Sequence, residues 1–220
     1  MSHFPLGTVA FAPRGRYQTA MRPSRNSLHY VRYLLGLSEA IGETFPGERV
    51  LLEKYARGKK RLAEIGVFHG VTTRLLRTAM APDGVLLAID PFFRSDFGLR
   101  GYGWARLIAH SQVRKVSNGR VLWIETMGKD APGDPRVQAA VPLDFVFFDG
   151  DHSYEGMQED WTAWRPHLAP GAIACFHDSR AQHATFGCAK FLAEVISQDP
   201  EFAEIDASDT LTVLRRRGGG

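Results

Sequence analysis

The sequence predicts an α/β domain built on a mostly parallel sheet with helices on both faces, and three observations carry that reading. Short runs rich in Val, Ile, Leu and Phe alternate with helical patterns through the middle of the chain. Strands that are each followed by a helix join in parallel and are buried on both faces. Two of the runs, FVFFDGDH (145–152) and AIACFHD (172–178), end in acid and histidine, which places these side chains together if neighbouring parallel strands meet at a ligand-binding sheet edge. The last two runs, FAEID (202–206) and TLTVLR (210–215), have no helix between them and predict an antiparallel hairpin at one side of the sheet.

Residues 1–25 carry Pro5, Pro13 and Pro23 among Phe4, Phe11 and Tyr17 without a period; such an arm is either disordered or laid across another surface. Leu28, Val31, Leu34, Leu35 and Ile41 recur at helical spacing and predict a helix over 27–44, with a second, short helix over 48–55. RLAEIGVF (61–68) reads as the first strand and TTRLLRTAM (72–80) as a helix. After the turn Pro82-Asp83-Gly84 comes VLLAID (85–90), the second strand. WARLIAHSQVRKV (104–116) is helical, Asn118-Gly119 ends it, and RVLWIE (120–125) is the third strand. A loop with a short helix is expected over 131–140. Then follow LDFVFFD (143–149), a helix over 154–168, AIACFH (172–177) and a helix over 187–197. Met157, Trp161, Trp164 and Leu168 repeat at helical offsets, which predicts packing on the sheet and not a binding cage. Arg215, Arg216, Arg217 and the glycines after them read as a frayed tail.

At 220 residues, 44% hydrophobic and 23% charged, the chain is long enough for one well-buried core. No apolar run approaches the roughly 20 residues of a membrane helix, no secretory h-region opens the chain, and Cys175 and Cys188 make no disulfide framework. A cytoplasmic protein with no membrane partner is expected. The net charge of +3 hides an asymmetry: residues 1–61 hold eleven Lys/Arg against four Asp/Glu. A basic head can meet nucleic acid, a phosphorylated substrate or another subunit. Its charges are spread out and match no nucleic-acid motif, so nucleic acid is not the expected partner. Residues 1–58 are read as an arm and helices serving as a lid or joining a homodimer, and 59–217 as the main domain.

The first strand runs into Glu64-Ile65-Gly66-Val67-Phe68-His69-Gly70 before a helix. Glycines there let a ligand approach the backbone, and the helix start offers unpaired N–H groups. The dinucleotide fingerprint needs three glycines; only Gly66 and Gly70 are present, and Glu64 discourages a pyrophosphate. The loop favours a ligand with an amino group, the alternative being a tight turn with no ligand. Asp90 ends the second strand about twenty residues on, where an acid can accept both hydroxyls of a ribose.

EIGVFHG, AIDPF and FFDGDHSYEGMQEDWTAWRPHLAPGAIACFHDS together resemble the class I S-adenosylmethionine-dependent methyltransferases. Within them they most resemble the small-molecule O-methyltransferases of the methyltransferase-24 group. The resemblance covers about residues 60–215, and DGDHSYEG followed by P-G-A-I and HD is its most specific part. It implies a Rossmann-like, doubly wound seven-stranded sheet of order 3-2-1-4-5-7-6 with strand 7 antiparallel, extended by N-terminal helices. It also implies S-adenosyl-L-methionine as cofactor: Glu64, Gly66, Phe68 and Gly70 at its amino-acid end, Asp90 on the ribose, Phe92, Met127 and Asp130 at the adenine, and Asp149 beside it.

Methyl transfer from a sulfonium needs alignment and a deprotonated nucleophile. Imidazole, with a pKa of about 6.5, is a poor base for a sugar hydroxyl; a divalent cation lowers that barrier. Asp149 and Asp178 end adjacent strands and, about 4 Å apart, would repel by about 4 kcal/mol at an effective dielectric of about 20, which a proton or cation must relieve. Asp149, Asp178 and His177 are the expected metal ligands. Magnesium is the expected ion, with calcium or manganese as alternatives and His177 biasing the site towards a transition metal. Metal-dependent relatives carry Asp-Asn where this chain has Asp178-Ser179, and sugar-modifying relatives an acidic pair where it has His177-Asp178. In the sugar O-methyltransferases a histidine at the offset of His152 is the general base, so His152 and Asp149 are the expected catalytic pair. Alternatively His152 caps the following helix or bonds Asp178. His69 is open between cofactor loop, substrate pocket and surface. The breaker- and aromatic-rich loop 91–104 reads as part of the acceptor pocket or its lid. The expected reaction is O-methylation of a small hydroxylated acceptor, a sugar or phenol. The alternatives are an N- or nucleic-acid methyltransferase, although an N-P-P-Y-type loop is absent, and a cofactor-binding protein without catalysis.

Overall fold

The computed structural model describes residues 23–92, 103–180 and 187–218. The N-terminal arm up to residue 22 and most of the expected lid loop lie outside them. The elements are α1 (Pro23–Leu34), α2 (Pro46–Ala56), β1 (Arg61–Ile65), α3 (Val71–Ala79), β2 (Val85–Ile89), α4 (Trp104–Val113), β3 (Arg120–Ile124), α5 (Pro135–Gln138), β4 (Leu143–Phe148), α6 (Tyr154–Trp164), β5 (Leu168–Phe176), α7 (Gly187–Glu194), β6 (Phe202–Ser208) and β7 (Leu211–Arg216). The sheet has the order β3-β2-β1-β4-β5-β7-β6. Strand β7 runs antiparallel to both β5 and β6, and the other pairings are parallel. This is the Rossmann-like methyltransferase topology.

The central strands read as unbroken apolar runs because both faces are covered. On β4, Phe145 and Phe147 pack with Leu51, Leu52 and Ala56 of α2 and Leu76 of α3. Val146 and Phe148 point the other way, among Met157, Trp161 and Trp164 of α6 and Phe191 of α7. The expected core role of the two tryptophans holds: Trp164 is fully buried, and its Nε1–H donates to Gly128 O at 2.9 Å. Helix α2, part of the N-terminal extension, is thus built into the main core. Among the described residues no helix is long and apolar enough to cross a membrane.

Several boundaries move for local reasons. The helix expected over 27–44 stops at Leu34 because Gly36 takes φ +70. Its N–H donates to Tyr33 O and that of Leu37 to Arg32 O, the paired bonds of a Schellman cap. Strand β1 stops at Ile65 because Gly66, at φ +90, turns the chain. Helix α6 ends at Trp164, and after a short 3-10 turn β5 starts at Leu168, earlier than expected. Helices α4 and α7 also end short of their expected limits, at Val113 and Glu194. Arg215 and Arg216 are not a frayed tail: β7 includes them, and Arg216 Nη2 pairs with Glu201 Oε2 at 2.7 Å.

Candidate active site

Sheet register assembles the site. Ile65, Ile89, Ile124, Phe148 and Phe176 lie side by side across β1, β2, β3, β4 and β5. The ladder continues one residue further: Gly66 N–H donates to Ile89 O, Asp90 N–H to Ile124 O, Asp149 N–H to Ile65 O and His177 N–H to Phe148 O. Gly66, Asp90, Asp149 and His177 therefore form one row at the carboxyl edge of the sheet, where an open α/β sheet binds its ligand.

On the β1 side, Glu64 is 1% exposed, and its Oε2 is buried without a hydrogen-bond partner. Burial, aided by the Asp149 and Asp90 carboxylates, pushes its pKa well above the ordinary value. Gly66 has no room for a side chain: a Cβ would overlap Asp149 O and lie 2.9 Å from Gly150 Cα. Gly70, at φ +70, begins α3, and a Cβ there would lie 2.9 Å from Ala109 Cα. Asp90 ties two loops together. Its Oδ2 accepts from the N–H groups of Val67 and Phe68 at 2.9 and 3.0 Å, and its Oδ1 from that of Phe92 at 2.7 Å.

Phe68 and Phe92 both adopt positive φ, a strained conformation for a bulky residue. Phe68 is partly exposed, whereas Phe92 is buried with Val67, Ala88 and Ala109. Met127 is half-buried, and Asp130 lies exposed on the 3-10 turn Gly128–Gly133. His69 stacks under the Phe68 ring at 3.9 Å, and its Nδ1 accepts the Ile41 N–H at 3.1 Å. It therefore latches the segment before α2 onto the β1 loop. Burial lowers its pKa to about 4, with His29 adding to the effect, so it is neutral at pH 7.

The β4 and β5 ends carry the acid and histidine cluster. His152 Nδ1 lies 2.9 Å from Asp178 Oδ2, and its Nε2 3.5 Å from Asp149 Oδ1. His177, 5% exposed, has Nδ1 2.7 Å from Asp149 Oδ1 and Nε2 3.3 Å from Glu48 Oε2. Yet neither nitrogen of His177 has an oxygen in line with a ring N–H, so these contacts are charge attraction and not aligned hydrogen bonds. The imidazoles stand between Asp149 and Asp178, contacting both.

Against the effect of burial, Asp149 and Glu48 raise the His177 pKa to about 10. Burial also opposes the charged form of His152, but Asp149 and Asp178 raise it. Asp149 would be raised by burial, yet its two histidine neighbours hold it below the usual carboxylate value. Donor atoms of Asp149, His152 and His177 lie within 4.8 Å of one another. Asp178 stands behind His152, held at φ +47.

Two points that the sequence left open are answered here. His152 does not cap α6: Ser153 does, its Oγ accepting the Gly156 N–H at 3.0 Å. Ser179, which stands where metal-dependent relatives have Asn, is no ligand; it is buried and bonded to Phe176 O, Thr210 O and Thr212 Oγ1.

Sequence reasoning missed Glu48 and Asp160. Glu48 is 0% exposed; its Oε1 accepts from Thr210 N–H and Oγ1–H at 3.0 and 2.6 Å, and its Oε2 from Phe45 N–H at 2.8 Å. Only its place at the start of a short helix was legible. Asp160 had a clearer signal, an acid on the same helix stripe as Met157 and Trp164. It is 6% exposed, below Gly128 and Gly150. Burial, with Asp151 and Glu159 adding repulsion, raises its pKa to about 7.

Asp160 is thus protonated in the fold over a range where the unfolded chain, with its ordinary value of 3.8, is ionised. The loss of stability begins near pH 4 and deepens until about pH 7, above which it is constant. Asp160→Asn is expected to be more stable than wild type at pH 8 by about 1–3 kcal/mol, with the difference closing near pH 4. Thermal unfolding at the two pH values measures this; a difference independent of pH would count against it.

The sequence pattern of a family described as a methyltransferase domain, of the methyltransferase-24 group, matches residues 63–179. A Sinorhizobium fredii protein named uncharacterized protein y4gI is 27% identical over 154 residues; the match covers 66% of this chain but only 16% of that protein's length. In structure, the chain is similar to the O-methyltransferase TomG of Streptomyces achromogenes, involved in tomaymycin synthesis and solved in complex with SAM. The TM-score is 0.60 at 18% identity, covering 90% of this chain and 91% of that one. A Bacillus cereus O-methyltransferase in complex with SAH gives a TM-score of 0.62 at 13% identity, covering 90% and 94%. At these identities the likeness is one of fold.

Proposed function

The chain belongs to the methyltransferase family whose pattern it matches, and from that premise we propose that it is an S-adenosyl-L-methionine-dependent O-methyltransferase acting on a hydroxyl of a small molecule, a sugar or phenolic natural product. The observation that carries this reading is the shared row of Gly66, Asp90, Asp149 and His177. It sets the glycine-bearing β1 loop beside a cluster of imidazoles and carboxylates.

The residues of this edge fit the cofactor. A buried carboxyl with an unpartnered oxygen, Glu64, suits the amino group of a methionine moiety. An arriving ammonium donates to that oxygen and favours the ionised acid. Gly66 lets the ligand reach the backbone, Phe68 and Gly70 continue that wall, and Asp90 has acceptor capacity left on Oδ1 for a ribose hydroxyl. Phe92, Met127 and Asp130 are assigned to the adenine side. The cofactor supplies an activated methyl group; the chain must align the acceptor and accommodate its proton.

His152 is set for the second task. Its Nδ1 lies 2.9 Å from Asp178 Oδ2 and its Nε2 3.5 Å from Asp149 Oδ1, so the neutral ring can donate from one nitrogen and keep a lone pair on the other. That lone pair can take a phenolic proton, whose pKa is about 10. Together with Asp149 and His177, it also fits a divalent cation, because the His177 nitrogens are buried without aligned partners. Such an ion, when bound, supplies the Lewis acidity that a sugar hydroxyl requires.

Calorimetric titration with S-adenosylhomocysteine tests the reading, on wild type and Asp90→Ala, with and without magnesium. One site per chain is expected in wild type. Asp90→Ala should weaken it at least about tenfold, the loss of one charged hydrogen bond. No binding under any condition ends the reading.

A further inference from the structure

We infer that the outer face of α1, with the segment that follows it, is the contact surface for a second copy of this chain. The two copies meet as an isologous pair in which Arg32 of one protomer lies against Glu39 of its partner. Helix α1 has two unlike faces. Inward, the Tyr30 ring packs on Trp104 with centroids 4.3 Å apart, the Tyr33 hydroxyl donates to Ser111 Oγ at 3.1 Å, and His29 stacks on His69. These contacts seat the helix on α4 and the β1 loop and turn its other side to solvent. That side carries Val31, Leu34 and Leu35 at offsets of three and four residues, and they are 48, 60 and 67% exposed. A solvated helix face is polar at such positions. Leu37 and Ile41 add to the apolar surface, and both are exposed. Exposed apolar residues scattered singly are ordinary; five within the stretch 31–41 mark an interaction site.

The surface has shape as well as composition. Leu34, Glu39, Ala40, Gln112 and Lys115 stand around a groove of about 320 Å3 between α1, the segment after it and α4. Leu35 and Leu37, the chain neighbours of that wall, are among the most exposed apolar residues described. Each copy therefore offers both a hollow and side chains to fill one, as a self-complementary contact across a two-fold axis requires.

Charge selects the occupant. Most of the ion pairs on this protein are surface pairs such as Lys54 with Asp206, Arg106 with Glu125 and Lys129 with Glu159. Arg32, Glu39 and Glu43 are exposed, and none of them has an ion-pair partner among the described residues. An anionic membrane would be attracted by Arg32 but repelled by Glu39 and Glu43 beside the same leucines. A second copy brings Arg32 to Glu39 twice, which encloses the apolar side chains in a rim of paired charge, the usual anatomy of a protein interface.

Sedimentation velocity of the full chain between about 1 and 100 μM tests this, with far-UV circular dichroism as the check on folding. A dimer with a Kd of about 10 μM or tighter is expected. Leu35→Arg should leave the dichroism unchanged and weaken association at least about 100-fold. Arg32→Glu and Glu39→Arg should each weaken it about tenfold or more, since each sets like charges together at two places. Combining Arg32→Glu with Glu39→Arg should restore association to within about threefold of wild type. A chain that stays monomeric over the whole range overturns the inference, whether its own residues 1–22 or a lipid surface covers the helix. Cosedimentation of that monomer with anionic vesicles, lost in Leu35→Arg, would assign the face to lipid. A dimer indifferent to Leu35→Arg, or a charge exchange that fails to restore association, overturns it equally.

Discussion

Gly66→Ala is expected to lose S-adenosylhomocysteine binding by at least about 100-fold and to destabilise the fold by about 2–5 kcal/mol. Two effects add. At φ +90 an L-side chain clashes with its own backbone, at a cost of about 1–2 kcal/mol. The new Cβ also meets main chain, lying 2.5 Å from Asp149 C and 2.9 Å from Gly150 Cα. A flexible side chain could step aside; the end of β4 cannot, because Asp149 N–H is bonded to Ile65 O and His177 N–H to Phe148 O. Forcing the strands apart is overpacking, worth about 1–3 kcal/mol.

The same displacement shifts Asp149 and Glu64 relative to one another, so binding should suffer beyond the loss of stability. Gly58→Ala is the control. Its φ is +69, but a Cβ there meets nothing within 4 Å, so only the backbone cost of about 1–2 kcal/mol is expected. Denaturant unfolding gives the first quantity and calorimetry the second. Gly66→Ala binding within about threefold of wild type would show that the β1 loop is not the cofactor wall.

Most of the sheet was legible because covering both faces turned its strands into apolar runs that the helices between them separate. Phe145 to Phe148 is the clearest case, with alternate residues serving opposite cores. The row at the sheet edge was legible for a related reason: the residue after each run is polar or glycine, and register aligns these positions. Legibility failed where one residue's conformation decides. Nothing in the spacing of Leu34, Leu35 and Ile41 reveals that Gly36 caps the helix between them. It failed again where partners lie far apart in sequence. Glu48 and Thr210 are 162 positions apart, and an acid near a helix start looks like an ordinary cap until the tertiary fold drives it against His177. Ser179 was recognised as a departure from the relatives, but that its hydroxyl is enclosed by Phe176 O, Thr210 O and Thr212 Oγ1 depended on the β7 turn. For His152, residue type and offset suggested a base or a partner of Asp178, and only the end of β5 in place brings that carboxylate to 2.9 Å from Nδ1.

Glu48→Ala is expected to lower stability by about 3–5 kcal/mol, the range for removing one partner of a buried charge network. The carboxylate accepts from Thr210 N–H, Thr210 Oγ1–H and Phe45 N–H and faces His177 Nε2. Alanine leaves all of these without their acceptor in a place where water does not reach. For a chain of this size each kcal/mol corresponds to about 2–4 °C, so Tm should fall by about 6–20 °C. Glu48→Gln retains a carbonyl for Thr210 but loses the charge opposite His177, and an intermediate loss is expected. A double-mutant cycle with His177→Ala separates the two contributions: coupling above about 1 kcal/mol means that Glu48 acts on the imidazole. No coupling, with the full loss retained, would make Glu48 a helix cap and nothing more. The outcome also bears on the N-terminal extension. Leu52 and Ala56 of the same helix are fully buried in the core shared with Phe145 and Phe147. Helix α2 therefore joins the site to the core through Glu48, and a chain cut after residue 58 should lose the fold together with the site.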